Sequence, residues 1–345
     1  MSLYGHLTEF AGLPVQEFTE DHVDADLPEP DTVAWRIRAT YRGASWGEVL
    51  DDFLEEVDTA RVTTLITGYW DYLSEDAEHP ADLLAEAAHR FPALRNVFVS
   101  ELAQEEAEIS WIRGADLTGL FDAFPGLERV TVRGNRMTLT PIGSPHLREL
   151  RFESGGLPGA VVRAVAAGDL PNLEHLELWL GVAEYGGDAT VADLEPILSG
   201  ERLPALRHLG LMNSEIQDEI AQVIAAAPVV ARLESLDLSM GLLSDRGVEA
   251  LLSGQPLTHL RTLDLGNSRM SGDMGARLRA ALPETTLVGL PRPGEADRVE
   301  NGCLGCHEAV ADCECYCRSC GETREGCPCA FFLSEDDEWY VRVTE

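Results

Sequence analysis

Leu173–Leu178 reads LEHLEL, and six further stretches repeat its spacing: LRNVFV (94–99), LERVTV (127–132), LRELRF (147–152), LRHLGL (206–211), LESLDL (233–238) and LRTLDL (260–265). Each has apolar residues at places one, four and six. Successive starts lie 33, 20, 26, 33, 27 and 27 residues apart. Places four and six share one face of a strand, because side chains alternate along it. One such strand cannot bury that face alone. Stacked copies in a parallel sheet, backed by the segments between them, can. The repeat therefore predicts an α/β leucine-rich-repeat solenoid, with a parallel sheet on the concave face and helices on the convex face.

The residues around the sextets agree. Place nine is small or polar (Asn135, Gly155, Gly181, Ser214, Gly241, Ser268), which suits a bend out of the strand. Asn213 and Asn267 stand one place earlier, and the pattern leaves open whether they take over that bend. Pro92, Pro125, Pro145, Pro171 and Pro204 stand two residues before a first Leu, where proline stops a preceding helix. Between strands, Ile216, Ile220, Val223, Ile224 and Ala227 form a helical stripe. The 20-residue unit has no room for a helix, so Thr138–Pro145 is expected to be extended.

The pattern divides the chain into an N-terminal cap (1–58), the solenoid (59–290), a linker (291–302), a Cys-rich module (303–332) and an acidic tail (333–345). Within the cap, Trp35–Tyr41 alternates like a strand and Gly47–Val57 is spaced like an amphipathic helix. Val62–Thr67 reads as a degenerate first strand, and Ala81–Phe91 as the helix after it. The carboxylates Glu101, Glu105, Glu106 and Glu108 are expected to be solvated at a helix start. A helix carrying Leu117, Leu120, Phe121 and Phe124 follows. Thr286–Leu290 is a possible last strand.

The net charge is −34, from 60 acidic residues against 26 basic ones, all Arg. That balance repels phosphate backbones and anionic membranes, so nucleic acid is a poor partner. No apolar run approaches the ~20 residues of a membrane helix. MSLYGHLTEF lacks the basic-then-apolar order of an export signal, so the cytoplasm is the expected location.

All eight Cys lie in the tail, as Cys303, Cys306, Cys313, Cys315 and then Cys317, Cys320, Cys327, Cys329; the second set repeats the first with a shift of 14. Paired thiolates at short spacing close tetrahedral Zn²⁺ sites, and eight ligands suit two structural ions. The metal would supply folding free energy to a segment too short for its own core. Each half could hold one ion, or the halves could interleave. Spacing does not choose between these. Disulfides would need an oxidising compartment, and the ligand run of bacterial ferredoxins is missing.

Places three, five and seven point away from the helices. They carry Arg129, Arg133, Arg151, His175, Glu177, Trp179, His208, Asp237 and Asp264, the candidate surface for a protein or peptide partner. His175 and His208 occupy equivalent places in adjacent repeats, with Glu177 close by. An alternative reading is therefore an enzyme, or an enzyme subunit of a modification pathway, acting there or at the Trp179–Tyr185 loop with its Gly186 and Gly187. No phosphate loop, Ser–His–Asp order or H-E-x-x-H helix appears, so a non-catalytic scaffold is the favoured expectation.

Six stretches carry a family likeness: HLTEFAGLPV (6–15), EISWI (108–112), ESGGLP (153–158), LPNLEHLELWLG (170–181), YGGDATVADLEPILSG (185–200) and PVVARLESLDLS (228–239). Through them the chain resembles an uncharacterised family of bacterial cytoplasmic leucine-rich-repeat proteins of actinobacterial type, over about residues 1–290. The resemblance implies a scaffold or accessory role beside radical-SAM-like and ATP-grasp-like proteins. The Cys tail lies outside it.

Overall fold

Strands built from the leucine sextets lie side by side in a single sheet, in the order in which they occur along the chain. The computed structural model describes residues 5–22, 26–74, 77–291 and a strand pair, Tyr316–Cys317 with Tyr340–Val341, which run antiparallel. The large sheet has twelve strands: β1 (Glu9–Phe10), β2 (Leu13–Phe18), β3 (Ala34–Ile37), β4 (Thr64–Thr67), β5 (Asn96–Val99), β6 (Arg129–Arg133), β7 (Glu149–Glu153), β8 (His175–Gly181), β9 (His208–Ser214), β10 (Ser235–Asp237), β11 (Thr262–Asp264) and β12 (Thr286–Val288). β1 and β2 form an antiparallel hairpin, and every later pairing is parallel. From β4 to β11 equivalent places meet: Leu150 faces Leu176, Leu176 faces Leu209, and Leu209 faces Leu236.

Among the described residues eight helices return the chain on one side: α1 (Trp46–Glu56), α2 (Pro80–Glu86), α3 (Thr118–Ala123), α4 (Gly159–Ala167), α5 (Val191–Leu198), α6 (Gln217–Ile224), α7 (Asp245–Ser253) and α8 (Gly272–Ala281). The place-four and place-six residues, among them Leu150, Phe152, Leu176, Leu178, Leu209 and Leu211, are fully buried against them in one continuous core. Each such side chain contributes about 1.5–3 kcal/mol of burial. No helix stands between β6 and β7. That link runs extended, with bridges Asp116–Thr138 and Gly143–Asp169, as the 20-residue spacing requires. Asn213 and Asn267 take left-handed backbone (φ 51° each), as does Met240 (φ 64°) at the same place eight. The bend therefore sits one place before the position expected of it, where Asn tolerates φ > 0 better than most residues.

The N-terminal region departs from the expected cap. β2 and β3 are parallel members of the sheet, with Trp35 beside Leu65 and Val15 beside Ala34, so the stack begins near residue 13. The expected helix 81–91 divides into α2 and a 3-10 turn at Ala88–Arg90. Residues 5–13 cross to the open face of the sheet. There Phe10, Ala34, Ile66 and Phe98 form a second apolar cluster, joined by Leu7 and Leu13. The carboxylates expected in solvent pin this strap. Glu101 is 1% exposed and accepts from the Leu7 amide (2.8 Å) and Arg36 Nε (2.8 Å), with His6 Nδ1 at 3.2 Å. Glu106 meets Arg38 Nη2 (2.6 Å) and His6 Nε2 (3.3 Å).

Contacts with Glu101 and Glu106 hold the His6 imidazole up at about 9, against the opposing effect of partial burial. A raised folded-state value stabilises the pinned strap fully below the ordinary histidine value and loses that contribution as pH rises through about 9. The protection of residues 5–13, taken as exchange relative to the intrinsic rate at each pH, is expected to fall between about pH 7 and pH 10, and His6→Gln to abolish that fall. An identical pH dependence in His6→Gln would refute the role of His6.

Candidate site on the open face of the sheet

In-register pairing sets the place-three and place-five residues in two columns across the sheet. At place three, Arg129, Glu149, His175, His208, Ser235 and Thr262 follow one another; at place five, Arg151, Glu177, Gly210, Asp237 and Asp264 do so. Neighbours in a column lie about 4.8 Å apart in backbone terms, so the order of charges fixes the local electrostatics.

The middle of the two columns is a closed network. Arg129 Nε donates to Glu149 (2.6 Å), and Arg151 Nε lies 2.8 Å from Glu177 Oε2. Arg151 Nη2 stands 3.4 Å from Glu149 and 3.2 Å from His175 Nε2. The rings of His175 and His208 stack with centroids 3.8 Å apart and planes 10° from parallel. Both turn toward Glu177 Oε1, His175 Nε2 at 2.8 Å and His208 Nε2 at 3.3 Å. His208 Nδ1 meets the Ser235 hydroxyl at 2.6 Å. Glu177 has this room because its neighbour is Gly210, where a Cβ would come within 2.8 Å of the Glu177 Cγ. Burial works against ionising Glu177, but His175, His208 and the Arg151 charge outweigh it and hold its carboxyl far below the ordinary range.

Further along, Asp237 and Asp264 stand side by side. Among the described residues Asp237 accepts from Ser239 and Asp264 from the Gly266 amide, and no basic side chain pairs with either. Burial, then the charges of Asp264 and Glu177, push the Asp237 carboxyl up despite its bonds to Ser239.

Two expected surface residues do not reach the surface. Arg133, 2% exposed, is enclosed by Glu153 (2.8 Å), the Leu102 carbonyl (2.6 Å) and the Phe98 ring, whose centroid lies 5.3 Å away. Trp179, 5% exposed, packs beside Met212. The Asn213 side chain reaches across that strand to the Ser154 carbonyl (3.0 Å). Neither residue offers area to a partner in this structure. The Trp179–Tyr185 loop is likewise braced: Asn135 Nδ2 donates to the Tyr185 carbonyl (2.7 Å), and Tyr185 meets Trp111 edge-on at 6.3 Å. Trp111 and Tyr185 remain exposed, a surface aromatic pair that the repeat pattern did not single out. The eight Cys lie outside the described residues, save the backbone of Cys317 in its short strand. No helix among the described residues is long and apolar enough to cross a membrane.

No protein-family model matches the chain, and no curated protein does. Among solved structures, a Bacteroides fragilis protein determined as a structural-genomics target is 30% identical. The match covers 71% of this chain and 70% of that one at a TM-score of 0.65. Two others are the Toll–Spätzle complex of Drosophila (18% identity, 79% and 29% covered, TM-score 0.30) and an internalin of Listeria monocytogenes (12%, 75% and 80%, TM-score 0.26).

Removing one member of a buried ion pair strands the other charge, at a cost of about 3–5 kcal/mol. Arg133→Ala is expected to lower the unfolding free energy by that amount in denaturant titration. Arg129→Ala, at the exposed end of the network, should cost below about 1 kcal/mol. Equal effects of the two would contradict the division drawn here between enclosed and surface arginines.

Proposed function

The chain belongs to the same family as the Bacteroides fragilis protein, and on that premise we propose that it is a binding scaffold whose open sheet face holds a protein or peptide. Helices take more room than strands, so this face lies on the inside of the solenoid's curve, the surface such proteins use for partners. The observation that carries the reading is the pairing of Asp237 with Asp264. Two adjacent carboxylates with no described cation between them leave a site of negative potential, which a basic side chain of a partner would complete. The exposed Trp111–Tyr185 pair offers an aromatic contact of the kind enriched at interfaces. A role as an accessory protein of a modification pathway, in the cytoplasm of actinobacterial-type relatives, belongs to the same reading.

The Cys tail forms the second part of this proposal. Its eight thiolates bind two structural zinc ions as Cys₄ sites, which leave no ligand position open for chemistry. The exact 14-residue duplication supports this.

Affinity capture from the native host is expected to recover a stoichiometric protein partner. Its affinity should fall at least about tenfold in Asp237→Asn/Asp264→Asn, with the loss shrinking at high salt. Full retention by that variant would remove this face from the account. Elemental analysis of the Cys tail, expressed with the rest of the chain, should show zinc lost in proportion to Cys→Ser replacement at all eight positions. Iron, or oxidised thiols without metal, would overturn the tail assignment.

A further inference from the structure

The His175, Glu177 and His208 side chains form, among the described residues, the one group of three metal-ligating side chains whose ligand atoms all lie within 4.8 Å of one another. We propose that they bind a divalent first-row transition ion, with two imidazoles and one carboxylate as ligands and a coordination position open to the sheet face. This site is separate from the Cys tail in both residues and ligand chemistry, and it does not depend on the partner reading above.

The distances support it. Donors held 2.0–2.1 Å from a tetrahedral ion lie roughly 3.3 Å from each other. Glu177 Oε1 stands 2.8 Å from His175 Nε2 and 3.3 Å from His208 Nε2, so modest spreading admits an ion between them. The stack brings the two rings together with planes 10° apart, and ligation splays them until both Nε2 lone pairs converge on one ion. His208 Nε2 is buried and stands 3.3 Å from Glu177 Oε1 without an aligned hydrogen bond, so an ion between the two would satisfy both better. The supporting contacts are also present. Ser235 orients His208 through Nδ1 (2.6 Å), and Arg151 fixes the other Glu177 oxygen (2.8 Å), the outer contacts that set the orientation of metal ligands. Gly210 keeps the floor clear. Imidazole with carboxylate favours zinc, cobalt, nickel or ferrous iron over calcium or magnesium.

Arg151 is the opposing charge. Its Nη2 lies 3.2 Å from His175 Nε2, where an ion would repel it. Glu149 stands 3.4 Å from the same Nη2, ready to take it up. Binding thus transfers Arg151 Nη2 from the histidine to Glu149, while the Nε ion pair with Glu177 is kept.

The test compares zinc bound at saturation by the full-length wild-type chain and by His175→Ala/His208→Ala, with melting followed in parallel. The variant should bind one ion fewer per chain, whatever number the Cys tail holds. Ser235→Ala leaves all three ligands in place and should weaken that one ion about 10–100-fold. Cobalt in place of zinc should add to the wild-type spectrum the weaker, shorter-wavelength bands of a nitrogen–oxygen site, lost in the double variant while the d–d and charge-transfer bands of thiolate-bound cobalt remain. Equal zinc stoichiometry in wild type and double variant overturns the site. If the double variant does not fold, Ser235→Ala decides, and unchanged zinc affinity there overturns it equally.

Discussion

In-register parallel pairing is the constraint from which the rest of the molecule follows. Because Leu176 sits beside Leu150 on one side and Leu209 on the other, an apolar position in one repeat is hidden by the same position in its neighbours. The rule acts on the opposite face as well, where equivalent polar residues become neighbours regardless of charge. A column of like charges would destabilise the sheet. Across β6–β8 the sequence avoids this by alternating sign: Arg129 against Glu149, Arg151 against Glu177, Arg133 against Glu153. Asp237 against Asp264 breaks the alternation; burial first, and the Asp264 charge after it, push the Asp237 carboxyl up.

The helical side is held by a different periodic device. Asp218, in the first turn of α6, accepts from the amide and hydroxyl of Ser244, the N-cap of α7 (2.9 and 2.6 Å). Asp245, in the first turn of α7, does the same for Ser271, the N-cap of α8 (2.7 Å each). Each helix start is thus tied to the next by a carboxylate that would otherwise sit unpaired near a helix dipole. At the other end of the units, Arg202, Arg232, Gln255 and His259 reach back to carbonyls of the preceding repeat, at Ala167, Leu203, Ala227 and Val230. The orphan carbonyls left there find partners one repeat away.

The strands from β5 to β11 were readable because a period of two, repeated seven times, has few other physical explanations. β2 and β3 were not read as repeats because LPVQEF and AWRI lack the leucine sextet, although their backbones pair in the same way. The burial of Glu101 was hidden for another reason. Its partners Arg36 and His6 lie 65 and 95 residues away, and a local run of carboxylates gives no sign of distant cations. Place seven misled in the same manner. Alternation correctly turned Arg133 and Trp179 away from the helices, but it says nothing of what covers the far side, which for Arg133 is Phe98 and Glu153. The juxtaposition of His175 with His208 was legible, since equal places in adjacent repeats must meet. The role of Gly210 was not, because a missing side chain matters only once its neighbour is known.

These differences divide the open face into three zones with different physics. At the N-terminal end the strap covers the sheet with Phe10 packed on Ala34, Ile66 and Phe98, an apolar contact in place of a polar surface. In the middle, arginines and glutamates satisfy one another, and a partner would have to break existing pairs before making its own; such exchanges return little net free energy. Beyond β8 the pattern changes: Gly210 leaves a gap in the place-five column, and among the described residues no basic side chain pairs with Asp237 or Asp264. Binding energy is gained most readily where the free surface is least satisfied. This is why the partner surface is proposed over β8–β11, with the His175–Glu177–His208 group at its border.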